Sequence, residues 1–309
     1  MARTPLTVSL PGNTLRDLLS PAPTGVELLL WDLKTPPPAA HIDIVVPPYM
    51  GTESVLGSLS AVTTQLVQSQ SIGFDNVADA LPPGHRFANA STVHEASTAE
   101  LAVGLILAMQ RGIPDAVRAA DAGHWAPQRR ASLADRTVLI VGFGGVGQAI
   151  EERLLPFETS VTRVARTARE TPTGPIHPMS ELPRLLPHAD IVVLAMPLTA
   201  ESTGMVNDAF LTAMADGALL VNVARGPIID TDALVAHLHT GRLRAALDVT
   251  DPEPLPAEHP LWSCPEVLIT PHVGGATSAM MPRMARLIRQ QIELLQSGQE
   301  PVNVVIDGR

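Results

Sequence analysis

The chain has 309 residues, 45% of them apolar and 3% aromatic, enough for two domains of ordinary size with full cores. Its formal net charge of −10 argues against a nucleic-acid surface, which needs a basic stripe, so no nucleic-acid partner is expected. The one cysteine, Cys264, excludes an internal disulfide and a cysteine-built metal site, and no metal is expected. No apolar run approaches the roughly 18 residues of a spanning helix, so no membrane partner is expected either. The opening Met1-Ala2-Arg3-Thr4-Pro5 lacks the charged and apolar regions of a signal peptide, and the expected location is cytoplasmic.

From Leu6 to about Ala90, short apolar runs are broken by proline and glycine. Val26–Trp31, Ile42–Val46 and Leu66–Gln68 predict strands of a parallel sheet. Ser97 to Arg111 predicts a buried helix, with Ser97 as its cap and Glu100 completing a capping box. Strand and helix patterns then alternate, with candidate strands at Thr137–Val141, Ser160–Val164, Ile191–Leu194, Ala218–Asn222, Ala245–Val249 and Val267–Ile269. Thr277–Ser297 predicts a long amphipathic helix, and Pro301–Ile306 an extended tail that returns to the first domain.

The run Thr137–Val141 enters Gly142-Phe143-Gly144-Gly145-Val146-Gly147 and continues into a helical pattern. Each glycine of such a loop has its own task at a dinucleotide's pyrophosphate. Gly142 permits the tight turn, Gly144 lets the backbone approach the phosphates, and Gly147 lets the helix pack close to the strand. The helix N-terminus then offers N–H groups and partial positive charge to the anion. The fold these patterns predict is α/β, with two Rossmann-like domains on doubly wound parallel sheets. Residues 1–96 and 276–309 form a discontinuous substrate (catalytic) domain, and 97–275 an inserted dinucleotide-binding domain.

In an NAD site, an acidic residue about 20 positions beyond the glycines binds the ribose 2′-hydroxyl. Here Val164-Ala165-Arg166-Thr167-Ala168-Arg169 holds no acid. Arg166 stands where the carboxylate belongs, with Thr167 and Arg169 behind it. A guanidinium suits a 2′-phosphate that an aspartate would repel. NADP(H) is therefore the favoured cofactor, with NAD(H) possible if these arginines are solvated loop charges.

Three polar residues follow late strands, where ligands bind in such sheets. Arg225 ends Asn222-Val223-Ala224-Arg225 before Gly226, Glu253 lies within Asp248 to Leu255, and His272 lies in Thr270-Pro271-His272. Singly, each has an ordinary explanation as a loop charge or structural histidine. Together with the glycine loop, Ala195-Met196-Pro197-Leu198-Thr199, Gly73-Phe74-Asp75-Asn76-Val77 and Thr98-Ala99-Glu100, they make the chain resemble the D-isomer-specific 2-hydroxyacid dehydrogenase family over nearly its whole length.

That resemblance implies that Arg225, Glu253 and His272 form the catalytic set. Histidine gains and loses its proton near neutral pH, so His272 can supply a proton to a keto oxygen. Glu253 would orient the imidazole and favour its charged form. Arg225 would bind the substrate carboxylate and polarise the carbonyl. The resemblance also implies that Asp248 bonds the nicotinamide carboxamide, and that Gly145, Val146, Pro197, Thr203, Val223, Ala224, His272 and Gly274 complete the cofactor contacts. Backbone N–H groups of Ile72 and Gly73 would meet the substrate carboxylate. Tyr49 and Met50 either border the substrate side chain or fill a gap in loop packing. His94 and His124 have no motif support and are expected to be structural or surface residues.

The expected activity is hydride transfer between NAD(P)H and a small 2-keto acid to give a D-2-hydroxy acid, as in a glyoxylate or hydroxypyruvate reductase. Two alternatives stay open. One is a corepressor-like protein that senses the nicotinamide cofactor on the same scaffold. The other is an NAD-linked enzyme like phosphoglycerate dehydrogenase, disfavoured because no regulatory domain follows Arg309. The formate-oxidising branch carries Gln where Glu253 stands, and a phosphite or phosphonate substrate would need a lysine that Gln68–Gly73 lacks. The family is commonly dimeric, and Arg111–Arg130, with Trp125, resembles its dimerisation segment, so a homodimer is expected.

Overall fold

The computed structural model describes residues 5–308. The Met1–Thr4 part of the opening stretch considered for a signal peptide, and Arg309, lie outside the described residues. Five strands come first: β1 (Leu6–Leu10), β2 (Val26–Leu30), β3 (Ile44–Val45), β4 (Leu66–Gln68) and β5 (Arg86–Ala88). Then follow β6 (Thr137–Val141), β7 (Ser160–Ala165), β8 (Arg169–Thr171), β9 (Gly174–Pro178) and β10 (Ile191–Leu194). The last are β11 (Leu219–Asn222), β12 (Arg244–Leu247), β13 (Val267–Ile269) and β14 (Val304–Asp307).

These strands form two sheets, one in each of two compact units. Met1–His94 with Thr277–Arg309 makes the first unit and Glu95–Ala276 the second. The first sheet runs β14-β5-β4-β3-β1-β2, the second β13-β12-β11-β10-β6-β7-β9-β8. All neighbours are parallel except β14 on β5 and β8 on β9, which add antiparallel edges. In the second sheet the chain starts at β6, winds outward through β7, then reverses to β10 on the other side of β6. The crevice above β6 and β10 is thus the topological switch point, where doubly wound sheets bind ligands.

Alternating residues of the central strands explain the layered core. Leu139, Val141, Val192, Leu194 and Leu220 enter one hydrophobic cluster. Val138, Ile140, Ile191, Val193, Leu219 and Val221 enter another, with Ala99, Ala102, Ile106, Ile150 and Leu154. A strand sends successive side chains to opposite faces, so a run that is apolar at every position must be covered on both. In the first unit the helix Met280–Gln296 buries Met284, Leu287, Ile288 and Ile292 in a cluster with Val8, Leu10, Ile44 and Leu66. The tail then pairs as β14 with β5, so the first unit is discontinuous.

Several elements differ from the sequence expectation. The helix expected from Ser97 begins at Glu95, which leaves Ser97 buried inside its first turn instead of capping it. Glu95 supplies the negative charge that a helix start favours. Strand β1, the three-residue β5 and the β8–β9 hairpin are too short or too polar to stand out by periodicity. The helix Ile113–Asp121 was also not anticipated and buries none of its residues. Among the described residues, no helix is long and apolar enough to cross a membrane.

Candidate functional site

The glycine loop joins β6 to the helix Gly145–Leu154. Gly142 has φ +103, and a Cβ there would lie 2.5 Å from the carbonyl carbon of Ala195 and the nitrogen of Met196. The turn therefore passes against the backbone that follows β10, across the switch point. At Gly147 a Cβ would stand 2.2 Å from the Gly142 oxygen, so only glycine lets the helix sit this close. Gly144 differs: its missing Cβ would point into open space. The N-cap residue is Gly144, which has no side chain to cap the helix start, and the first N–H groups of a helix suit an anion. Gly144 and Gly145 are exposed and Val146 half-buried. The residues present fit a dinucleotide pyrophosphate.

Beyond β7, Arg166, Thr167 and Arg169 are all exposed. Arg169 donates from Nη2 to the Phe143 carbonyl (3.1 Å) and from Nη1 to the Thr167 carbonyl (3.4 Å), which ties it to the glycine loop. The Glu201 carboxyl is held below the usual range, first by a hydrogen bond from the Thr199 side chain and in smaller part by the positive charge of Arg166. Nothing in the sequence pattern marked Glu201. The β10 loop is closed by buried Ser202, whose Oγ donates to the Pro197 carbonyl (3.0 Å), while Thr203 Oγ1 donates to the Thr199 carbonyl (2.8 Å).

Strands β11, β12 and β13 are sheet neighbours, and their C-terminal loops carry the polar set. Asn222, wholly buried, accepts from the Ala224 N–H (3.0 Å) and donates to the Arg225 carbonyl (2.9 Å). It thereby fixes the Val223-Ala224-Arg225 turn, a role the motif alone did not assign. Arg225 is half-buried, and its Nη1 donates to the Ala224 carbonyl (2.6 Å). At Gly226 a Cβ would lie 1.8 Å from the Thr250 oxygen, so the Arg225 turn is pressed against the strand-end segment that leads to Glu253.

His272 has φ +51, a left-handed conformation that costs a non-glycine residue energy and that surrounding bonds must impose. Its N–H donates to the Asp248 carbonyl (2.8 Å). The buried Asp248 carboxylate accepts from Thr270 Oγ1 (2.6 Å) and the N–H groups of Val273 and Gly274 (both 2.9 Å). These bonds take three of about four acceptor sites on a carboxylate, so Asp248 holds the His272 turn and has about one acceptor site beyond them. Thr270 was quoted in the motif without this role. The His272 Nδ1 meets Glu253 Oε1 at 2.5 Å, with both side chains about one-third exposed (34% and 39%). That bond engages Nδ1 and orients the ring, so Nε2 is the ring nitrogen on the side away from Glu253.

Of the six substrate candidates, Arg225 and His272 belong to the second unit and Tyr49, Met50, Ile72 and Gly73 to the first. Tyr49 is half-buried and stacks on His94 with ring centroids 5.8 Å apart, whereas Met50 is 58% exposed at φ +66. His94 is buried and bonds the Gln70 carbonyl through Nε2 (2.6 Å); His124 is exposed. Ile72 and Gly73 are half-buried, and the Ile72 carbonyl accepts from Asn89 Nδ2 (2.9 Å). Their loop is held by amide side chains that sequence reasoning missed. Gln68 Nε2 donates to the carbonyls of Ser69 (2.9 Å) and Asn89 (3.0 Å), and Gln70 Nε2 to that of Pro47 (2.8 Å). Gln291, from the last helix, donates to Gln68 Oε1 (2.7 Å) and brackets Val302 through its carbonyl (2.8 Å) and N–H (3.0 Å). The available signal was a glutamine on the apolar face of an amphipathic helix. No group of three His, Cys, Asp or Glu among the described residues could hold a metal ion.

A dinucleotide loop at the switch point and a His–Glu pair at adjacent strand ends define a nicotinamide-linked oxidoreductase. Residues 103–274 match the family model described as D-isomer specific 2-hydroxyacid dehydrogenase, NAD binding domain. The human glyoxylate reductase/hydroxypyruvate reductase is 32% identical over 281 residues, covering 84% of this chain and 85% of that protein. The glyoxylate reductase of Thermofilum pendens is 33% identical over 257 residues, 80% of this chain and 76% of its own. The crystal structure of a D-isomer specific 2-hydroxyacid dehydrogenase from Xanthobacter autotrophicus, in complex with NADPH and MES, superposes with a TM-score of 0.81 at 27% identity over 99% of each chain. The protein belongs to the D-isomer specific 2-hydroxyacid dehydrogenase family. It is an NAD(P)-dependent 2-hydroxyacid dehydrogenase, and these matches do not favour the cofactor-sensing alternative.

Proposed function

We propose that this protein is an NADP(H)-linked reductase of small 2-keto acids such as glyoxylate or hydroxypyruvate, yielding D-2-hydroxy acids. The observation that carries the reading is the His272–Glu253 pair, with Nδ1 and Oε1 2.5 Å apart at the end of β13, beside the Arg225 turn. The nicotinamide, when bound, supplies the hydride that reaches the carbonyl carbon. His272 delivers the proton from Nε2 to the keto oxygen, and Glu253 at Nδ1 orients the ring and stabilises its charged form. Arg225 binds the substrate carboxylate and stabilises the charge that grows on the oxygen. Ile72 and Gly73 offer backbone N–H groups to the same carboxylate, with Tyr49 and Met50 beside the substrate side chain. Asp248 takes the carboxamide on its remaining acceptor site. The other cofactor contacts come from Gly142, Gly144, Gly145, Val146, Gly147, Pro197, Thr203, Val223, Ala224 and Gly274.

The preference for NADP(H) is supported by the acid-free turn Arg166-Thr167-Ala168-Arg169 and by the NADPH held in the Xanthobacter relative. The names of the human and Thermofilum relatives support the substrate class. The protein acts in the cytoplasm as a homodimer through Arg111–Arg130. In support of that interface, Ile113 (49%), Val117 (54%) and Trp125 (96%) are exposed apolar side chains on this segment. Light scattering that shows only monomer would reject it. The deciding experiment is NADPH oxidation against a panel of 2-keto acids. Turnover on glyoxylate or hydroxypyruvate that falls roughly a hundredfold or more in His272→Ala is expected. Bound NADPH with no turnover on any 2-keto acid would overturn the proposal.

A further inference from the structure

Arg163 is a buried arginine that the chemistry above does not use. It lies on β7, and its side chain, like that of its partner Glu151, is 8% exposed. Arg163 Nη2 pairs with Glu151 Oε1, on the helix that begins at the glycine loop. Its guanidinium carbon sits 5.6 Å from the centre of the Phe143 ring, within cation–π range. A Cβ on Gly174, at the β8–β9 hairpin turn, would come within 3.3 Å of Arg163 Nη1. The Nε of Arg163 is buried without a hydrogen-bond partner among the described residues, so Glu151 and the ring face are what stabilise the charge.

The sheet register explains why a second arginine reaches the same place. Arg163 on β7 is paired with Ile176 on β9, and Ile176 with Arg169 on β8. Residues in one cross-strand row project from the same face of a sheet. Both arginines accordingly converge on Phe143, Arg163 against the ring and Arg169 on the carbonyl. Phe143 stands between the first two glycines of the loop and is itself buried.

We infer that Arg163 is a positioning residue for the cofactor, gripping the glycine loop through Phe143 so that loop and hairpin hold one geometry. The two segments that meet the dinucleotide, at its pyrophosphate and at its ribose, are then aligned by one buried cation. The inference rests on the dinucleotide site but not on the proposed preference for NADP(H). It makes Arg169 part of a clamp as well as a candidate phosphate ligand.

The test measures dissociation constants for NADPH and NADH by nicotinamide fluorescence, with KM for the keto acid alongside. Two variants are compared: Phe143→Leu, which keeps the ion pair, and the double variant Arg163→Met/Glu151→Gln, which removes both charges so that neither is stranded. In each, both dissociation constants should rise together by roughly three- to tenfold. Their ratio, and KM for the keto acid, should change less than about twofold, which general loosening of the fold would not produce. Both constants within about twofold of the native values would overturn the inference. A loss confined to NADPH would overturn it too, because it would reduce the cluster to a 2′-phosphate contact. Should the double variant not fold, Phe143→Leu alone decides. Tighter binding of NADH by the native protein would count against the proposed cofactor preference and leave this readout intact.

Discussion

The glycine loop of the second unit and the Ser69–Gly73 loop of the first are both held rigidly, but by different means. In the second unit, backbone lies on backbone: Gly142 against Ala195 and Met196, Gly147 against Gly142, and Gly226 against Thr250. No side chain fits there, and the geometry is set by contact. In the first unit, Gln68, Gln70 and Asn89 hold the loop through side-chain amide hydrogen bonds to main-chain carbonyls, and Gln291 braces Gln68 through its side-chain oxygen. The first arrangement fails by steric overlap and the second by leaving buried polar groups unpaired. Steric fit depends on a few positions that accept only one residue type, whereas an amide network tolerates change at any one member but couples them all.

Substitutions sharpen this contrast. Gly226→Ala should have the largest effect: its Cβ has no room beside Thr250, so the Arg225 and Glu253 segments must separate, and kcat/KM should fall about a hundredfold or more. Near-native kinetics for that variant would mean that contact does not set the site. Gly147→Ala should cost about 1–3 kcal/mol in denaturant unfolding and weaken both cofactors; a change in stability without one in cofactor binding would separate the two effects. Gln291→Leu strands Gln68 and the Val302 main chain, and should cost about 1–3 kcal/mol. Its kinetic signature should be a raised KM for the keto acid with little change for the cofactor, and the reverse pattern would break the comparison. Arg166→Ala should raise KM for NADPH by about tenfold and leave NADH nearly unchanged, since only the 2′-phosphate loses a charged partner.

Acid gives the mildest test. Burial holds the His85 pKa below its usual value, so its contribution to stability is complete above the ordinary imidazole range and is lost as pH falls through the lowered value. The Asp43 pKa is also lowered: burial would raise it, but hydrogen bonds from Thr7, His41 and Gln65 outweigh that. Its contribution is present above the usual carboxylate range and is lost as pH falls through the lowered value. Both groups belong to the first unit and both shifts have the same sign, whereas the lowered carboxyls of the second unit, Glu181 and Glu201, lie at the surface where solvent screens their contribution. Hydrogen exchange followed downward from neutral pH should therefore show the first unit opening before the second; the opposite order would contradict the assignment.

The same contrast decides what the sequence made legible. Gly142 and Gly147 were readable because backbone contact there excludes any Cβ, Gly144 only through its place in the same motif, and the strands at Thr137–Val141 and Ile191–Leu194 because two-sided burial demands apolar residues throughout. His272 and Glu253, 19 residues apart in the chain, became readable through the motifs around them. Gln68 and Gln291 are separated by 223 positions, and no local pattern links one polar residue to another at that distance. Arg163 and Arg169 meet at Phe143 only because of the β7–β9–β8 register, and that hairpin is too polar to be seen as strands. The Ser97 cap failed for the converse reason: a good local signal was overridden when Glu95 supplied an earlier helix start.

The tail strand β14 has a consequence for biosynthesis. The second unit is one continuous stretch, Glu95–Ala276, and can complete its sheet while the ribosome is still at work. The first unit, whose first five strands precede the second unit, lacks the helix Met280–Gln296 and its sixth strand until the second unit has been synthesised. Until then Val8, Leu10, Ile44 and Leu66 have no helix to cover them, and β5 presents an open edge to other chains. Chain order therefore lets the second unit assemble while the first still waits for its closing helix and strand.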